Sequence, residues 1–169
     1  MRIIAAFLFA FLTTCFYANA QADSTAQSQE PQLKYQAGAF AGSSQGLGMS
    51  FRLWPKKFGV QFTFAPTIRE NSQWYSMGFS LLHWISRSEK TGLYVYQGNH
   101  LILDIDENVR LSGDSFGTQI QRDYFCGIGF GVQINIVTRF KVDFAAGFVA
   151  ANNFQRLRGD IGMGLFYEF

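Results

Sequence analysis

Few residues of this 169-residue chain could carry acid–base or nucleophilic chemistry. The only histidines are His83 and His100, so a Ser-His-Asp hydrolase would have to use one of them. His83 shares the parity of neighbouring apolar residues, which favours an interfacial side chain. The residues that follow His100 at short distance include Asp104, Asp106, Ser112 and Ser115. Closeness in sequence establishes no catalytic geometry. We therefore expect a protein that is not an enzyme, and an enzyme using His100 is the alternative.

The acidic stretch after the second histidine carries oxygen ligands at alternate positions, as the start of a calcium-binding loop does. Asp104, Asp106 and Asn108 have that spacing. Val109 stands where such a loop needs glycine, and Ser115 stands where it needs a bidentate glutamate. We therefore predict no metal site, with a weak calcium contact as the alternative.

The same stretch has an excess of negative charge that could select a partner. Four carboxylates against Arg110 leave it a net charge of about −3. Because opposite charge favours encounter, a basic or cation-bridged external ligand is the expected partner. The carboxylates are Asp104, Asp106, Glu107 and Asp114.

A lone cysteine and a glycine repeat offer little further chemistry. Cys126 has the parity of an apolar strand face, which is typical of an inert packed thiol. Gly127, Gly129 and Gly131 lie in the same strand pattern and precede no helix, so they do not form a nucleotide-binding loop. We predict no cofactor.

The composition excludes some classes of protein. Charged residues make up 15% of the chain, against about 25% in globular proteins. That fraction argues against disorder and makes a soluble surface hard to cover. The sequence pI is near 8.6, but only Lys56 and Lys57 are adjacent basic residues, so no nucleic-acid footprint exists.

The first residues read as a secretory signal peptide. Arg2 gives the positive start, Ile3–Leu12 the apolar core and Ala18–Ala20 an A-x-A cleavage pattern. The apolar core is too short for a membrane-spanning helix, which needs about 20 residues. A lipoprotein signal ending at Cys15 is the alternative, although Thr14 departs from that pattern.

Three segments are predicted: a cleaved signal peptide at 1–20, a polar flexible lead-in at 21–32, and one structured domain at 33–169. Removal of the leader would leave Cys126 as the single cysteine, so the mature chain could not form an intrachain disulfide.

From residue 34 onward apolar residues alternate with polar or small ones. The clearest case runs from Tyr124 to Ile136, where every second residue except Cys126 is a large apolar one. Several segments have nine or more residues, the length that a tilted membrane-barrel strand requires. The sequence therefore predicts an all-β protein, an eight-stranded antiparallel up-and-down transmembrane β-barrel. The predicted strands are 34–42, 47–53, 58–65, 75–81, 92–103, 123–136, 140–148 and 157–169.

The composition of the two strand faces predicts which one meets lipid. The second face is rich in glycine and has few of the Lys, Glu and Thr that solvate exposed strands, which suits a narrow, curved interior. A secreted soluble β-barrel, with its apolar face inside, is the alternative. The residues predicted to face lipid include Phe51, Phe62, Phe79, Ile128, Phe130, Val132, Phe144, Met163 and Leu165.

The connections alternate as outer-membrane barrels require, with tight periplasmic turns and other loops outside. Tight turns are predicted at 55–57, 87–91 and 137–139, after even-numbered strands. Of the connections after odd-numbered strands, 43–45, 69–73, 99–121 and 151–156, only 99–121 is long. Both ends of the mature chain are then expected in the periplasm.

The last residues are the most specific signal in the chain. The ending from Ile161 to Phe169 alternates apolar residues, includes Tyr167 and closes on an aromatic. This ending resembles the C-terminal signal by which the barrel-assembly machinery recognises outer-membrane proteins. Residues 33–169 resemble the small eight-stranded family of outer-membrane protein X and the membrane domain of outer-membrane protein A. The resemblance implies the outer membrane of a Gram-negative bacterium, and outer-membrane lipid as the surroundings. Function does not follow from fold.

Strand direction and parity predict an ion network inside the barrel at its periplasmic end. Isolated ions in a narrow lumen are costly, so these groups should pair and close the channel. The alternative is that they extend to the periplasmic mouth. The residues are Lys34, Arg52, Lys141, Asp143 and Glu168.

The predicted function is that of a monomeric, non-enzymatic barrel that presents external loops for binding or envelope protection. Outer-membrane lipid A acyltransferases and deacylases carry a His and a Ser at the outer rim, so an envelope-lipid acyl hydrolase or acyltransferase is the first alternative. A narrow solute pore is the second, but eight strands leave an interior just wide enough for side chains.

Overall fold

The computed structural model describes residues 33–69, 72–110, 116–151 and 156–169. The described chain forms eight antiparallel strands that close into one barrel in sequence order, which confirms the predicted fold. No helix in these ranges is long and apolar enough to cross a membrane. The strands are β1 (Lys34–Gly42), β2 (Gly46–Trp54), β3 (Phe58–Arg69), β4 (Ser72–Arg87), β5 (Thr91–Arg110), β6 (Phe116–Asn135), β7 (Phe140–Ala151) and β8 (Arg156–Glu168).

The first strand closes the barrel by pairing with both the second and the last. Ala39 lies opposite Met49 on β2 and opposite Leu165 on β8. Residues opposite each other in a sheet share a face, so this register carries the apolar alternation from strand to strand around the wall. A slip of one residue would turn a whole apolar set inward, which explains why the alternation fixes the register.

The wall has very unequal height around its circumference. β1 and β2 have nine residues each, whereas β5 and β6 have 20 each. We call the end of the barrel that carries the connections at 55–57, 88–90 and 136–139 the turn end. The opposite end, where β5 and β6 extend furthest, is called the hairpin end.

The predicted long loop at 99–121 is wrong for most of its length. β5 continues to Arg110 and β6 begins at Phe116, with Asn99 paired to Cys126 and Asp106 paired to Gln119. Residues 111–115 lie outside the described residues. The apolar alternation continues into this segment, because Leu101, Leu103 and Ile105 occupy every second position on one face of β5. The aspartates at the positions between them made the segment resemble a polar loop in the sequence.

The two faces of the wall differ in chemistry. Polar and charged side chains are buried inside with a few large aromatics, among them Phe40, Tyr94 and Phe166. The outside exposes large apolar side chains on all eight strands. The core of this barrel is therefore a column of polar groups and rings rather than an aliphatic interior.

Candidate functional site

An arginine and an aspartate form an ion pair across the lumen, in the part of the barrel nearer the turn end. Arg52 on β2 places Nη1 2.5 Å from Asp143 Oδ2 on β7, and both side chains are fully buried. The hydroxyl of Tyr94 donates to Asp143 Oδ1 at 2.5 Å. Gln61 Oε1 accepts from Arg52 Nε at 2.9 Å and from Nη2 at 2.5 Å. The guanidinium and the carboxylate are each satisfied by a charged and a neutral partner, as burial requires.

Aromatic rings surround this ion pair. The Arg52 guanidinium carbon lies 4.2 Å from the ring centre of Phe166 and 5.4 Å from that of Tyr94. Trp54 stacks on Trp84 with ring centres 4.4 Å apart. Burial of an arginine against ring faces adds cation–π attraction to the ionic contact. The rings also fill the lumen on the side of the turn end.

Three cations converge on one carboxylate nearer the turn-end mouth. Glu168 Oε1 lies 3.4 Å from Lys34 Nζ, and its Oε2 lies 3.4 Å from Lys141 Nζ and 3.9 Å from an Arg87 amino group. Gln36 Nε2 donates to Glu168 Oε2 at 3.0 Å. This group is partly open to solvent, in contrast to the Arg52–Asp143 pair.

The five residues predicted as an ion network therefore occupy two adjacent groups. Lys34, Lys141 and Glu168 form the mouth group, and Arg52 with Asp143 forms the deeper pair. Glutamines link them, because Gln36 and Gln133 exchange hydrogen bonds of 3.2 and 3.3 Å and Gln133 Nε2 donates to Asp143 at 3.3 Å. We call these two groups together the turn-end cluster. Sequence reasoning missed Arg87, Tyr94 and the glutamines Gln36, Gln61 and Gln133, although the glutamines and Tyr94 share the interior parity.

A second cluster of hydrogen bonds lies nearer the hairpin end. Its side chains bind one connection of the chain, partly through backbone groups, and form no ion pair among the described residues. The connection Ser43–Gln45 folds into the lumen, where Ser44 and Gln45 are buried. Asp160 Oδ1 accepts from the Ser43 amide at 3.0 Å, and its Oδ2 accepts from the Ser44 and Tyr96 hydroxyls, the latter at 2.9 Å.

A histidine and a serine hold the other side of the same connection. His100 Nδ1 lies 2.9 Å from the Ser43 carbonyl oxygen, and its Nε2 lies 2.8 Å from Ser76 Oγ. Ser76 Oγ also accepts from the Leu47 amide at 3.1 Å. We call Ser43–Gln45 with Ser76, Tyr96, His100 and Asp160 the inserted-turn cluster.

Glycines make room for the inserted connection. A Cβ at Gly78 would lie 2.1 Å from the Gln45 carbonyl oxygen, and a Cβ at Gly98 would lie 2.6 Å from that of Ser44. Gly46 leaves the turn with a φ of +92°, a conformation that other residues rarely adopt. The sequence shows these glycines but not what fills the space beside them.

The contact between His100 and Ser76 has the distance of a base and a nucleophile, but its surroundings favour a structural role. Both side chains are buried. A backbone carbonyl, rather than a carboxylate, orients the imidazole, and the serine oxygen already accepts from an amide. A catalytic serine needs access to substrate and a proton-accepting base. The prediction that His100 begins an external loop is wrong, since it lies within β5 and points into the barrel. His83 lies on the outside, with its ring centre 4.5 Å from that of Phe58.

The carboxylates predicted to form an acidic external loop are positioned mainly by β5. Asp104 and Asp106 belong to β5 and share the parity of His100, towards the barrel axis. Asp114 and the side chain of Glu107 lie outside the described residues. No group of three metal-ligating side chains occurs among the residues described.

The predicted assembly signal and the cysteine lie elsewhere. Phe169 donates its amide to the Tyr35 carbonyl oxygen at 3.0 Å, and its ring centre is 5.1 Å from that of Tyr167. Cys126 is a free thiol on the outer face, 3.6 Å from Gln97 Nε2.

The outer surface decides what kind of barrel this is. All nine side chains predicted to face lipid are exposed there; Ile128 and Phe130, for example, are 62% and 59% exposed. An outer surface this apolar, around a polar interior, is favourable in contact with lipid acyl chains and unfavourable in contact with water. The chain is an eight-stranded transmembrane β-barrel of the outer-membrane type.

Comparisons with known proteins found similar solved structures but no matching sequence or family. No protein-family profile and no curated protein sequence matches the barrel significantly. Among solved structures it is similar to the N-terminal β-barrel domain of OprF from Pseudomonas aeruginosa, with 12% identity, a TM-score of 0.48, and coverage of 81% of this chain and 96% of that one. Ail of Yersinia pestis, in complex with the heparin analogue sucrose octasulfate, has 17% identity, a TM-score of 0.44 and coverages of 81% and 95%. Neisserial surface protein A has 20% identity, a TM-score of 0.38 and coverages of 81% and 96%.

Proposed function

We propose that this protein is a non-enzymatic outer-membrane barrel with a closed lumen, which presents the β5–β6 hairpin outside for binding of an external partner or for envelope protection. The main support for this proposal is the contrast between the filled lumen and the extended hairpin end of the barrel. Buried hydrogen-bonded groups fill the lumen at two levels, while β5 and β6 extend beyond their neighbours at the hairpin end. The external side is then the hairpin end, both chain ends lie in the periplasm after removal of residues 1–20, and the barrel is a monomer.

Closure of the lumen is supported by the nature of the contacts that cross it. The Arg52–Asp143 pair joins β2 to β7, and Asp160 of β8 joins the inserted connection to Tyr96 of β5. Water and ions would have to break buried charge-assisted hydrogen bonds to pass, which is unfavourable in a site of low dielectric. We therefore propose that the barrel is not a solute pore.

Planar-bilayer recording tests the closed lumen. The unmodified barrel should give no steady, ion-selective conductance. A variant with Asp160→Ala and Asp143→Ala should leak more, because it loses a tether at each level. Steady channels from the unmodified protein would contradict closure and favour the narrow pore.

External binding is supported by a strand edge whose backbone groups pair with no described strand on the β7 side. β7 pairs with β6 only from Phe125 onward, so among the described residues 116–124 pair on the β5 side alone. Such an edge accepts an extended peptide as an added strand. Asp104, Asp106 and Asp123 lie on the axial face of this hairpin, so a basic segment fits better than an acidic one.

Peptide binding tests the hairpin. A lysine-rich peptide of strand length should bind the folded barrel more tightly than a glutamate-rich peptide of equal length. Replacing 102–123 by a tight turn should abolish the binding without preventing folding. Asp104→Asn with Asp123→Asn should weaken it less, because the backbone edge stays. Equal binding by the shortened barrel would contradict this assignment.

The enzymatic alternative makes a different prediction. If the pair His100 and Ser76 acted on envelope lipid, cells with and without the gene would differ in the mass of lipid A. We expect identical lipid A mass spectra, because both side chains are buried and engaged with backbone.

A further inference from the structure

A groove on the outer wall lies close to the turn end and is not explained by barrel closure. It has a volume of about 340 Å³ and crosses the outward faces of β1 to β4. Ala37, Leu53 and Val60 line it together with the rings of Phe51, Phe62 and Phe169. Register joins these residues into rows, with Leu53 opposite Val60 and Phe51 opposite both Ala37 and Phe62. Small aliphatic groups beside large rings leave a depression in the wall.

The chemistry of the groove fits hydrocarbon. Its outward side chains are apolar apart from the hydroxyl of Tyr35, and Phe51 and Phe62 are exposed. A cavity of this kind has too few polar partners to hold ordered water. Its volume lies within the range of about 300 to 1,000 Å³ that is typical of small-molecule sites. In a bilayer an acyl chain is the group that fills it.

A basic connection lies at one end of the groove. Lys56 and Lys57 are exposed in the connection between β2 and β3. Each is three residues from a groove residue, Leu53 on one side and Val60 on the other, so about 11 Å of chain at most separates them. The Trp84 amide donates to the Lys57 carbonyl oxygen at 2.8 Å, which holds the connection against β4. The two ammonium groups are therefore tethered within reach of a headgroup whose acyl chain occupies the groove.

The cations of this connection differ from the three that surround Glu168. Lys34, Arg87 and Lys141 lie within 3.9 Å of the Glu168 carboxylate. Within the described chain Lys56 and Lys57 have no such carboxylate partner. Two adjacent unpaired cations favour a phosphate, and a net negative headgroup over a zwitterionic one, whose amine they would repel.

We propose that the groove and the Lys56–Lys57 connection form a binding site for one anionic glycerophospholipid. An acyl chain lies against Leu53 and Val60, and the phosphate contacts both lysines. The site requires only the folded barrel with its apolar outer wall, and it does not depend on the proposed external binding.

Native mass spectrometry of the refolded barrel in detergent tests the headgroup. With phosphatidylglycerol and phosphatidylethanolamine at equal concentration, the retained adduct should be several-fold richer in phosphatidylglycerol. Lys56→Gln with Lys57→Gln should remove that preference. Lys90→Gln, in the neighbouring connection between β4 and β5, is the matched control and should keep it. Equal retention of the two lipids, or an unchanged preference in the double variant, would overturn the proposal.

A second pair of variants tests the acyl-chain groove. Ala37→Phe should fill the groove and reduce retention of both lipids several-fold. Ala146→Phe, at an exposed alanine on the outside of β7 and away from the groove, should leave retention unchanged. Folding of each variant is checked by its shifted electrophoretic mobility without heating. If Ala37→Phe does not fold, the lysine variants alone decide the proposal.

The two proposals can fail separately. A barrel that does not insert into lipid vesicles would contradict the membrane function. A barrel that inserts but retains both lipids equally would contradict only the lipid site.

Discussion

The two clusters inside the barrel close the same lumen in our proposal, but they are built from different groups. In the turn-end cluster, side chains of opposite charge reach across the barrel, and Arg52 meets Asp143 directly. In the inserted-turn cluster a single buried carboxylate, Asp160, has no cation in a salt bridge among the described residues and is satisfied by one amide and two hydroxyls. Removing one partner of an ion pair leaves a buried charge, whereas removing Asp160 leaves only neutral donors. The first cluster should therefore be the more sensitive to substitution.

The largest effect is expected from Asp143→Ala. This change leaves the Arg52 guanidinium buried without its carboxylate and should lower the free energy of unfolding by about 3–5 kcal/mol. Urea titration of the barrel in lipid vesicles measures the loss. Replacing both partners, Arg52→Met with Asp143→Leu, should recover most of it, because neither charge is then stranded. A loss for Asp143→Ala as small as that for Asp160→Ala would remove the distinction between the clusters.

The next effect tests the assumption that both clusters lie inside. Ile128→Arg or Phe130→Arg places a charge on the lipid face near the middle of β6 and should cost about 2–4 kcal/mol in vesicles. Gly129→Arg should act through crowding instead, since a Cβ there would already lie 2.3 Å from the Ala146 carbonyl oxygen. Measuring folding in vesicles whose bilayers differ in thickness separates the two causes, because only the cost of the lipid-face variants depends on the depth of the charge in the bilayer. Unchanged folding of both lipid-face variants would reverse the inside–outside assignment.

A smaller loss is expected from Asp160→Ala, about 1–3 kcal/mol, because three donors lose their acceptor and no charge is stranded. The effect should be local. Hydrogen exchange at the Ser43 amide should accelerate strongly, while the amides of β6 and β7 beside Asp143 keep their protection. Equal acceleration throughout the barrel would show that the inserted connection is not a separate unit.

The smallest change in stability is expected from deletion of Phe169, whose ring packs against Tyr167 and whose amide bonds to Tyr35, neither of which belongs to a cluster. Its hydrogen bond to Tyr35 lies at the end of the pairing between β1 and β8. Refolding into detergent should be little affected, whereas the amount assembled in the outer membrane of cells should fall, because the resemblance of the ending implies that the assembly machinery recognises the terminal aromatic. Normal cellular levels of the deleted form would remove that prediction. Phe140→Ala, another exposed aromatic at the turn end, is the control.

The inside face of each strand was predictable from the sequence because side chains alternate strictly along a strand. Parity alone places Arg52, Lys141, Asp143 and Glu168 on the glycine-rich face, and antiparallel order sends them to the same end. Their pairing into a deep ion pair and a separate mouth group was not predictable, because it depends on the stagger between strands and on side-chain length. Asp160 has the same parity as Glu168, so its inward position was accessible, but its partners were not.

The long hairpin shows a different limit. Polar residues on one face of β5 beyond His100 led to the prediction of a loop for this segment, although the apolar residues on the other face continue the alternation. A strand that leaves the membrane is no longer required to be apolar on its outer face or small on its inner face. The sequence pattern that indicates a strand is therefore weaker outside the bilayer. The length of β5 is decided by its backbone pairing with β4 and β6.

The sequence by itself determined the number of strands, the outward face of each and the end at which the charged interior residues lie, because these follow from local alternation and strand order. Only the tertiary structure decided that Ser43–Gln45 enters the lumen, that His100 holds it, and that Lys56 and Lys57 lie beside an apolar groove. Each of these depends on contacts between residues far apart in the chain. Such contacts are fixed by barrel closure and the space that glycines leave, and no local pattern records them.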